Sequence, residues 1–425
     1  MNASSRVAVS LTLDRIVDGA CLLTMPLLAW LAVFGHRGAV LVAGLTALAI
    51  ALRPSIWREG LSLLAPARLR AAPLPRAAAA GLLFVVWIAI TGFWSPTPGA
   101  WKLSLGVAAF TLSGGALVFE AARASDRRVR RMAILFAGAV TIAAAALLFE
   151  GLTGGFLRSV VPPVDQTPLR WKDMTALARG VTFIAPLVFP AAAILWSLTR
   201  SRALAAAPIV FALLASLQFT VSANVVAILF ATGAGAAALL RPRSAISALG
   251  ALFLVSLIAA PLFAVAPADA VLSAETPLMP VSWAQRVNLW KETADRILED
   301  CLLAGCGADY TRAWAADAVM IDVPGSPIPL TEAPIHPHNV FLQIWLELGF
   351  LGVITIATAL GWGLKRLAAI EPQPLAFAAI TAAFGASYIS FMLEASLWQV
   401  WRISILSLAA YGGALSYSVM CSRRS

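Results

Sequence analysis

Apolar residues along this chain run in unbroken stretches rather than alternating with polar ones, and short arginine-bearing breaks separate the stretches. A helix needs about 17–25 mostly apolar residues to cross roughly 30 Å of bilayer hydrocarbon. About twelve stretches approach or meet that length, at approximately 16–34, 39–52, 78–94, 103–122, 132–152, 180–198, 204–220, 223–240, 245–266, 339–364, 375–394 and 397–420, of which 39–52 is short. Closed barrels also span membranes, but their strands alternate apolar and polar positions over about ten residues. The pattern therefore predicts an all-α polytopic membrane protein with about twelve transmembrane helices. The first stretch lacks a small-residue cleavage site and is followed at once by a second, so it reads as a retained span rather than a signal peptide.

Composition agrees: 60% of residues are hydrophobic and 12% charged, with a mean hydropathy of +0.85. The net charge of +10 needs no nucleic acid to explain it, because the arginines are distributed by side. With the N-terminus placed in the cytoplasm, Arg53, Arg58, Arg68, Arg70, Arg76, Arg123, Arg127, Arg128, Arg130, Arg131, Arg200, Arg202, Arg241, Arg243, Lys365 and Arg366 all fall on that side. That is the positive-inside asymmetry, and it places both termini in the cytoplasm. The opposite, outer side keeps Arg37, Lys102, Arg158, Arg170, Lys172, Arg179, Arg286, Lys291, Arg296, Arg312 and, near a helix end, Arg402.

Two outer loops exceed what a connection needs. The expected organisation is helices one to nine within residues 1–266, with a smaller outer loop at about 153–179; a large, partly helical loop over 267–338; and helices ten to twelve within 339–425. In the large loop, Ser282 and Gln285 form a capping-box pattern. Trp283, Val287, Trp290, Ala294 and Ile297 then recur at helical spacing, with Arg286 one turn before Trp290. Cys301 and Cys306 share this loop, where an oxidising compartment would permit a bridge; with four intervening residues a bridge is possible but not implied, and a disulfide and two free thiols both stay open.

The chain has only three histidines, and two of them stand in "PIHPHNVFLQIWLELGFLG", residues 334–352. Pro337 fits a helix start, which puts His338 and Asn339 at its opening turn, where the helix dipole disfavours an added positive charge. His336, before the proline, reads as a loop residue. Glu347, deeper in an apolar run, is expected to face the bundle interior, and Gly349 and Gly352 to let a neighbouring helix approach closely. Trp398 and Trp401 read first as interfacial belt residues.

These residues resemble the histidine motif of the O-antigen ligase and polymerase superfamily, with His338, Asn339, Leu342, Glu347, Gly349 and Gly352 in its positions. "RVNLWKETADRILEDCLLAGCG" is similar to the family's arginine, tryptophan and GxG segment at Arg286, Trp290, Gly305 and Gly307, and "FMLEASLWQVW" extends the likeness towards the end. One departure is "FTVSANVVAILF", where the family often has an arginine after a serine pair; Arg170, Lys172 and Arg179 could supply that charge, Arg179 being read equally as an interfacial anchor. The resemblance implies transfer of a glycan from undecaprenyl diphosphate to the lipid A core at the periplasmic face of a Gram-negative inner membrane. Its other branches are O-antigen polymerases and protein O-oligosaccharyltransferases.

A departing lipid diphosphate calls for fixed cations, and arginine offers a planar pair of donors that stays charged. His338 is expected as general base; Arg286, Arg179, Arg170 and Lys172 as diphosphate ligands; and Trp290, Asn339 and Glu347 as support. No metal and no cofactor are expected, since neither D-x-D nor H-E-x-x-H nor a nucleotide loop occurs. A twelve-span transporter or flippase would look similar in composition, but no repeat relates the two halves and the polar residues gather in the outer loops.

Overall fold

The structure is a computed structural model that describes residues 15–52, 58, 62, 73–160, 169–219, 221–265, 281–322, 328–333 and 335–422. It is an all-α polytopic fold. The helices are α1 Arg15–Phe34, α2 Ala39–Ala51, α3 Pro73–Thr91, α4 Leu103–Arg123, α5 Asp126–Thr153, α6 Leu169–Ile184, α7 Val188–Thr199 and α8 Arg202–Gln218. They continue as α9 Ser222–Leu240, α10 Pro242–Ile258, α11 Val281–Arg296, α12 Tyr310–Ala316, α13 Val340–Ala368, α14 Pro374–Leu393 and α15 Val400–Cys421.

Each of the twelve apolar stretches is helical, eleven of them overlapping a single one of these helices and the stretch 180–198 running across α6 and α7. Among the described residues eight helices are long and apolar enough to cross a membrane, and a bent pair, Met174–Ile184 with Val188–Thr199 at 52°, makes up to nine. Three further apolar helices are shorter, so the chain is a multi-pass membrane protein and the count of twelve spans stays an expectation. Apolar side chains form two cores. One joins α1, α2, α5, α6, α7 and α15 around Phe136, Phe183 and Tyr411. The other joins α3, α10 and α13 with the end of α11 around Leu257, Ile297 and Phe341.

The span α13 is broken at its tenth residue. Gly349 has φ +64° and ψ −168°, outside any helix, so the carbonyls before it lose their usual donors four residues on. Inside a membrane such groups must find partners within the protein. The segment preceding α12 supplies them: Cys306 N donates to Leu346 O at 2.8 Å, Gly307 N to Glu347 O at 3.1 Å, and Phe350 N to Leu302 O at 2.9 Å. The Trp87 ring completes the set by donating to Leu348 O at 2.8 Å. Backbone therefore lies against backbone, and a Cβ on Gly305 would stand 2.4 Å from the Glu347 carbonyl. Gly349 was expected to serve helix packing; it serves this exchange with a non-helical segment, because only glycine takes that φ without strain.

Between α10 and α13, α11 continues through a wider turn at Ile297–Cys301, and α12 is followed by two short antiparallel strands, Met320–Ile321 and Leu330–Thr331. α11 begins at Val281, one residue before Ser282, which therefore sits within the helix rather than at its cap. Its buried stripe is Ala284, Asn288, Leu289, Thr293, Ala294 and Ile297, about one position round from the expected one. Two polar residues in that stripe hid it from a hydrophobicity pattern. Cys301 and Cys306 are joined as a disulfide, with Cα atoms 5.0 Å apart, the pairing the sequence left open; the tight turn at Gly305 brings them within reach.

Candidate active site

His336 and His338 lie together just before α13, their ring centroids 4.2 Å apart. Four local features hold them. Asn339 is the N-cap of α13, its Oδ1 accepting from Phe341 N at 3.0 Å and Leu342 N at 3.2 Å, which satisfies two otherwise orphaned donors of the first turn. His338 takes φ +54°, a left-handed conformation uncommon for a non-glycine residue. The Trp290 ring of α11 donates to Pro337 O at 2.9 Å, clamping the peptide between the two histidines. Finally His338 N donates to His336 Nδ1 at 3.3 Å, so a neutral His336 carries its proton on Nε2.

Both rings are held neutral. Burial pushes His338 down to about 3, with the charges of His336, Arg286, Arg402 and Arg179 adding to it. His336 is pushed down to about 4 by burial first and then by Arg402, Arg179 and Arg286. The helix dipole pointed in the same direction from sequence, but burial is the larger cause.

Arg286 is half-buried on α11 and stacks over Trp283 at 5.5 Å. One of its terminal nitrogens donates to Ser282 O at 3.3 Å, while its Nε is buried and finds no hydrogen-bond partner among the described residues. A buried unsatisfied donor costs about 1–3 kcal/mol, so this guanidinium holds hydrogen-bonding capacity in reserve. Arg179, on α6, is exposed, yet its charge reaches both histidines. Arg170 and Lys172 fall on the same helix, but their side chains lie outside the described residues.

Sequence reasoning missed a buried polar group beside them. Arg402 on α15 is 8% exposed; it donates through Nε to Gln399 Oε1 at 2.6 Å and pairs with Glu394 Oε2 at 3.6 Å. Glu394 also accepts from Thr182 Oγ1 at 3.4 Å, and Thr182 donates to Asn224 Oδ1 at 2.8 Å. These four side chains line a narrow cleft whose walls are otherwise largely apolar, including Pro186, Phe391, Ile405 and Leu406. Asn224 belongs to the stretch where the family's arginine is absent, so a guanidinium from α15 stands in that cleft instead. The signal that could have found it is a charged pair within an apolar run, which in a membrane protein is a candidate functional site.

Glu347 stands apart from the histidines in role. Fully buried on α13, its carboxylate accepts from Asp309 N at 2.6 Å, Thr311 Oγ1 at 2.8 Å, Gln343 Nε2 at 3.0 Å and Trp398 Nε1 at 2.6 Å. Four donors saturate it, and it ties α13 to α12 and to the segment preceding α15. Trp398 is thereby a structural donor rather than only a belt residue. Trp401 packs edge-on against His36 at 4.7 Å, so the third histidine also comes to this end of the molecule.

Fold and site together define a multi-pass helical membrane protein with neutral imidazoles among guanidinium groups at one end of the bundle. The family model described as O-antigen ligase, Wzy_C, matches residues 185–357, about two fifths of the chain, including α11, the exchange at Gly349, and both histidines. The resemblance to the O-antigen ligase family is thus shown over the part that carries His338 and Arg286; Arg179, Glu394 and Arg402 lie outside it. Among similar proteins, one from Rickettsia conorii named a "putative polysaccharide ligase" is 37% identical over 127 residues. Those of Rickettsia bellii and Rickettsia prowazekii, named likewise, are 32% identical over 126 residues and 34% over 122. Each match covers 29% of this chain and 29% of the relative.

Proposed function

We propose that this protein is a glycosyltransferase that ligates O-antigen polysaccharide from undecaprenyl diphosphate to the lipid A core oligosaccharide, with its site on the periplasmic face of the inner membrane and its termini in the cytoplasm. The observation that carries the reading is Arg286, a half-buried guanidinium with an unsatisfied buried donor, set beside two neutral imidazoles. A dianionic leaving group needs fixed positive charge, and a hydroxyl nucleophile needs a base that is not already protonated.

In this scheme the acceptor hydroxyl oxygen forms a bond to the anomeric carbon as the carbon–oxygen bond to phosphate breaks, inverting that centre. The hydroxyl proton passes to His338, and the bond's electron pair leaves with the lipid diphosphate, which Arg286 and Arg179 hold. Arg170 and Lys172 are assigned to the same anion by charge and position in the chain. Glu347, Trp290 and Asn339 act indirectly by fixing the histidine peptide, and no divalent ion is assigned a step.

A base with a conjugate acid near 3 is reliably unprotonated but weak, and proton transfer is most effective when the base's pKa lies near the working pH. Burial is the main cause of that depression, but two of the guanidinium groups that add to it, those of Arg286 and Arg179, are also assigned to the diphosphate. Binding the anion neutralises their field and raises the basicity of His338, so the base strengthens once the donor is in place. With purified protein, carrier-linked glycan and rough lipopolysaccharide, His338→Ala should slow transfer by about 10²–10⁴-fold while leaving donor binding intact. A variant that transfers at the parent rate removes His338 as the base.

A further inference from the structure

A second concave, basic site lies at the opposite end of the bundle. α4 starts beside the histidine end: the segment leading into it bonds to the loop before α12, Ser95 Oγ donating to Ala308 O and Thr97 Oγ1 to Asp309 O at 2.8 Å. It ends at Arg123 after 21 residues, about 30 Å away at 1.5 Å per residue. There Arg123, Ala124, Ser125, Arg127, Arg128 and Arg131 close around a cleft of about 400 Å³ with Asp18 of α1, within the roughly 300–1,000 Å³ range of small-ligand sites.

The cleft has a floor and a rim. On the floor Arg128 is only 10% exposed and binds Asp18 Oδ1 at 2.6 Å and Glu120 Oε1 at 3.2 Å, fixing α1, α4 and α5 to one another. At the rim Arg123 and Arg127 are exposed, and Arg131 is 45% exposed and only loosely paired with Asp18 at 3.7 Å. Ser125, exposed and N-terminal to α5, presents a hydroxyl beside the positive end of the helix dipole. Four guanidinium groups face one lining carboxylate. Orientation in the membrane asks only for arginines somewhere in a connection; it does not ask for them to ring a cavity with a braced floor.

We infer that this cleft binds a phosphate group, and specifically the phosphodiester headgroup of an anionic membrane lipid. The recognised chemistry is a tetrahedral oxyanion accepting from rim guanidinium groups. The source is assigned to lipid because the turn between two membrane-crossing helices stands at the bilayer surface, where headgroup phosphates are concentrated. The inference is independent of the transfer reaction.

The test uses the full-length protein in phosphatidylcholine vesicles with or without phosphatidylglycerol, and lipid retained after purification is counted by native mass spectrometry. Phosphatidylglycerol should be retained by the parent, and the Arg127→Gln/Arg131→Gln double variant should hold it about tenfold more weakly, the loss of roughly one charge-assisted contact. Because both side chains lie at the rim, folding is checked by an unchanged thermal midpoint in phosphatidylcholine alone, and Arg123→Gln serves as a second variant if the first is unstable. Equal retention by parent and variants overturns the inference. So does inorganic phosphate binding without phosphatidylglycerol binding, which would assign the cleft to a soluble anion.

Discussion

The arginines at the two ends of this bundle are the same residue put to different uses. At the far end Arg128 is spent: it joins Asp18 and Glu120 and braces three helices. At the histidine end Arg402 is spent in the same way on Glu394 and Gln399, but Arg286 has a buried donor in reserve and forms no ion pair among the described residues. Burial without a partner is unfavourable for folding, so a charge kept in that state points to something outside the fold. The difference teaches that the informative feature of a basic membrane protein is a cation the fold has left unsatisfied, and the number of arginines says little.

Among changes that test the contrast between the two ends, the largest effect should come from removing that cation. Arg286→Ala should lower transfer by about 10²-fold, the worth of one or two charge-assisted hydrogen bonds to phosphate at roughly 1.5–3 kcal/mol each, measured as kcat/KM for the carrier-linked donor. A donor affinity and turnover both unchanged would erase the distinction between the two ends.

Next in size is Gly305→Ala, which brings a Cβ within 2.4 Å of the Glu347 backbone at a residue with φ +77°. Strain and overlap each cost about 1–3 kcal/mol, read as a lower thermal midpoint, with transfer falling because His338 is carried by the same helix. A comparable substitution at Gly154, also at positive φ but with open space around it, should cost less.

The smallest effect concerns acidity. His336 and His338 have folded-state values near 4 and 3 against an ordinary 6.5, so the unfolded chain binds more protons between those limits. The stability contributed by the neutral rings is complete above 6.5 and declines as pH falls through 6.5 towards 4 and 3. The transfer rate should therefore show no step near 6.5, and its acid limb should lie lower, displaced upwards when saturating donor offsets the arginine field. A single ionisation near 6.5 in donor-free protein, followed by histidine NMR, would contradict the site's electrostatics.

Much of the fold was legible because the length needed to cross hydrocarbon is a coarse requirement, and all twelve apolar stretches became helices. The same coarseness hid other features. Glu394 and Arg402 were absorbed into apolar runs, and their mutual pairing across α14 and α15 is a long-range fact that local periodicity does not carry. Asn288 and Thr293 disguised the buried face of α11. Gly349 reads as a packing glycine until its carbonyl neighbours are counted, since a kink in one helix is visible only together with the distant segment that fills it. His338 stood out because histidine is scarce, and Arg286 and Trp290 because they share a helical face at the other end of the same loop; the structure brings Trp290 onto Pro337, while the roles of all three in transfer belong to the proposal.

The break in α13 also bears on how the protein is made. A regular span can complete its own hydrogen bonds as it leaves the translocon, but this one receives several of them from Leu302 to Gly307, synthesised before it and held outside the span. Insertion and completion are therefore separate events, and the final one must wait until that earlier segment returns to the break in a later helix. Errors there would produce a correctly inserted protein that assembly machinery sees as unfinished.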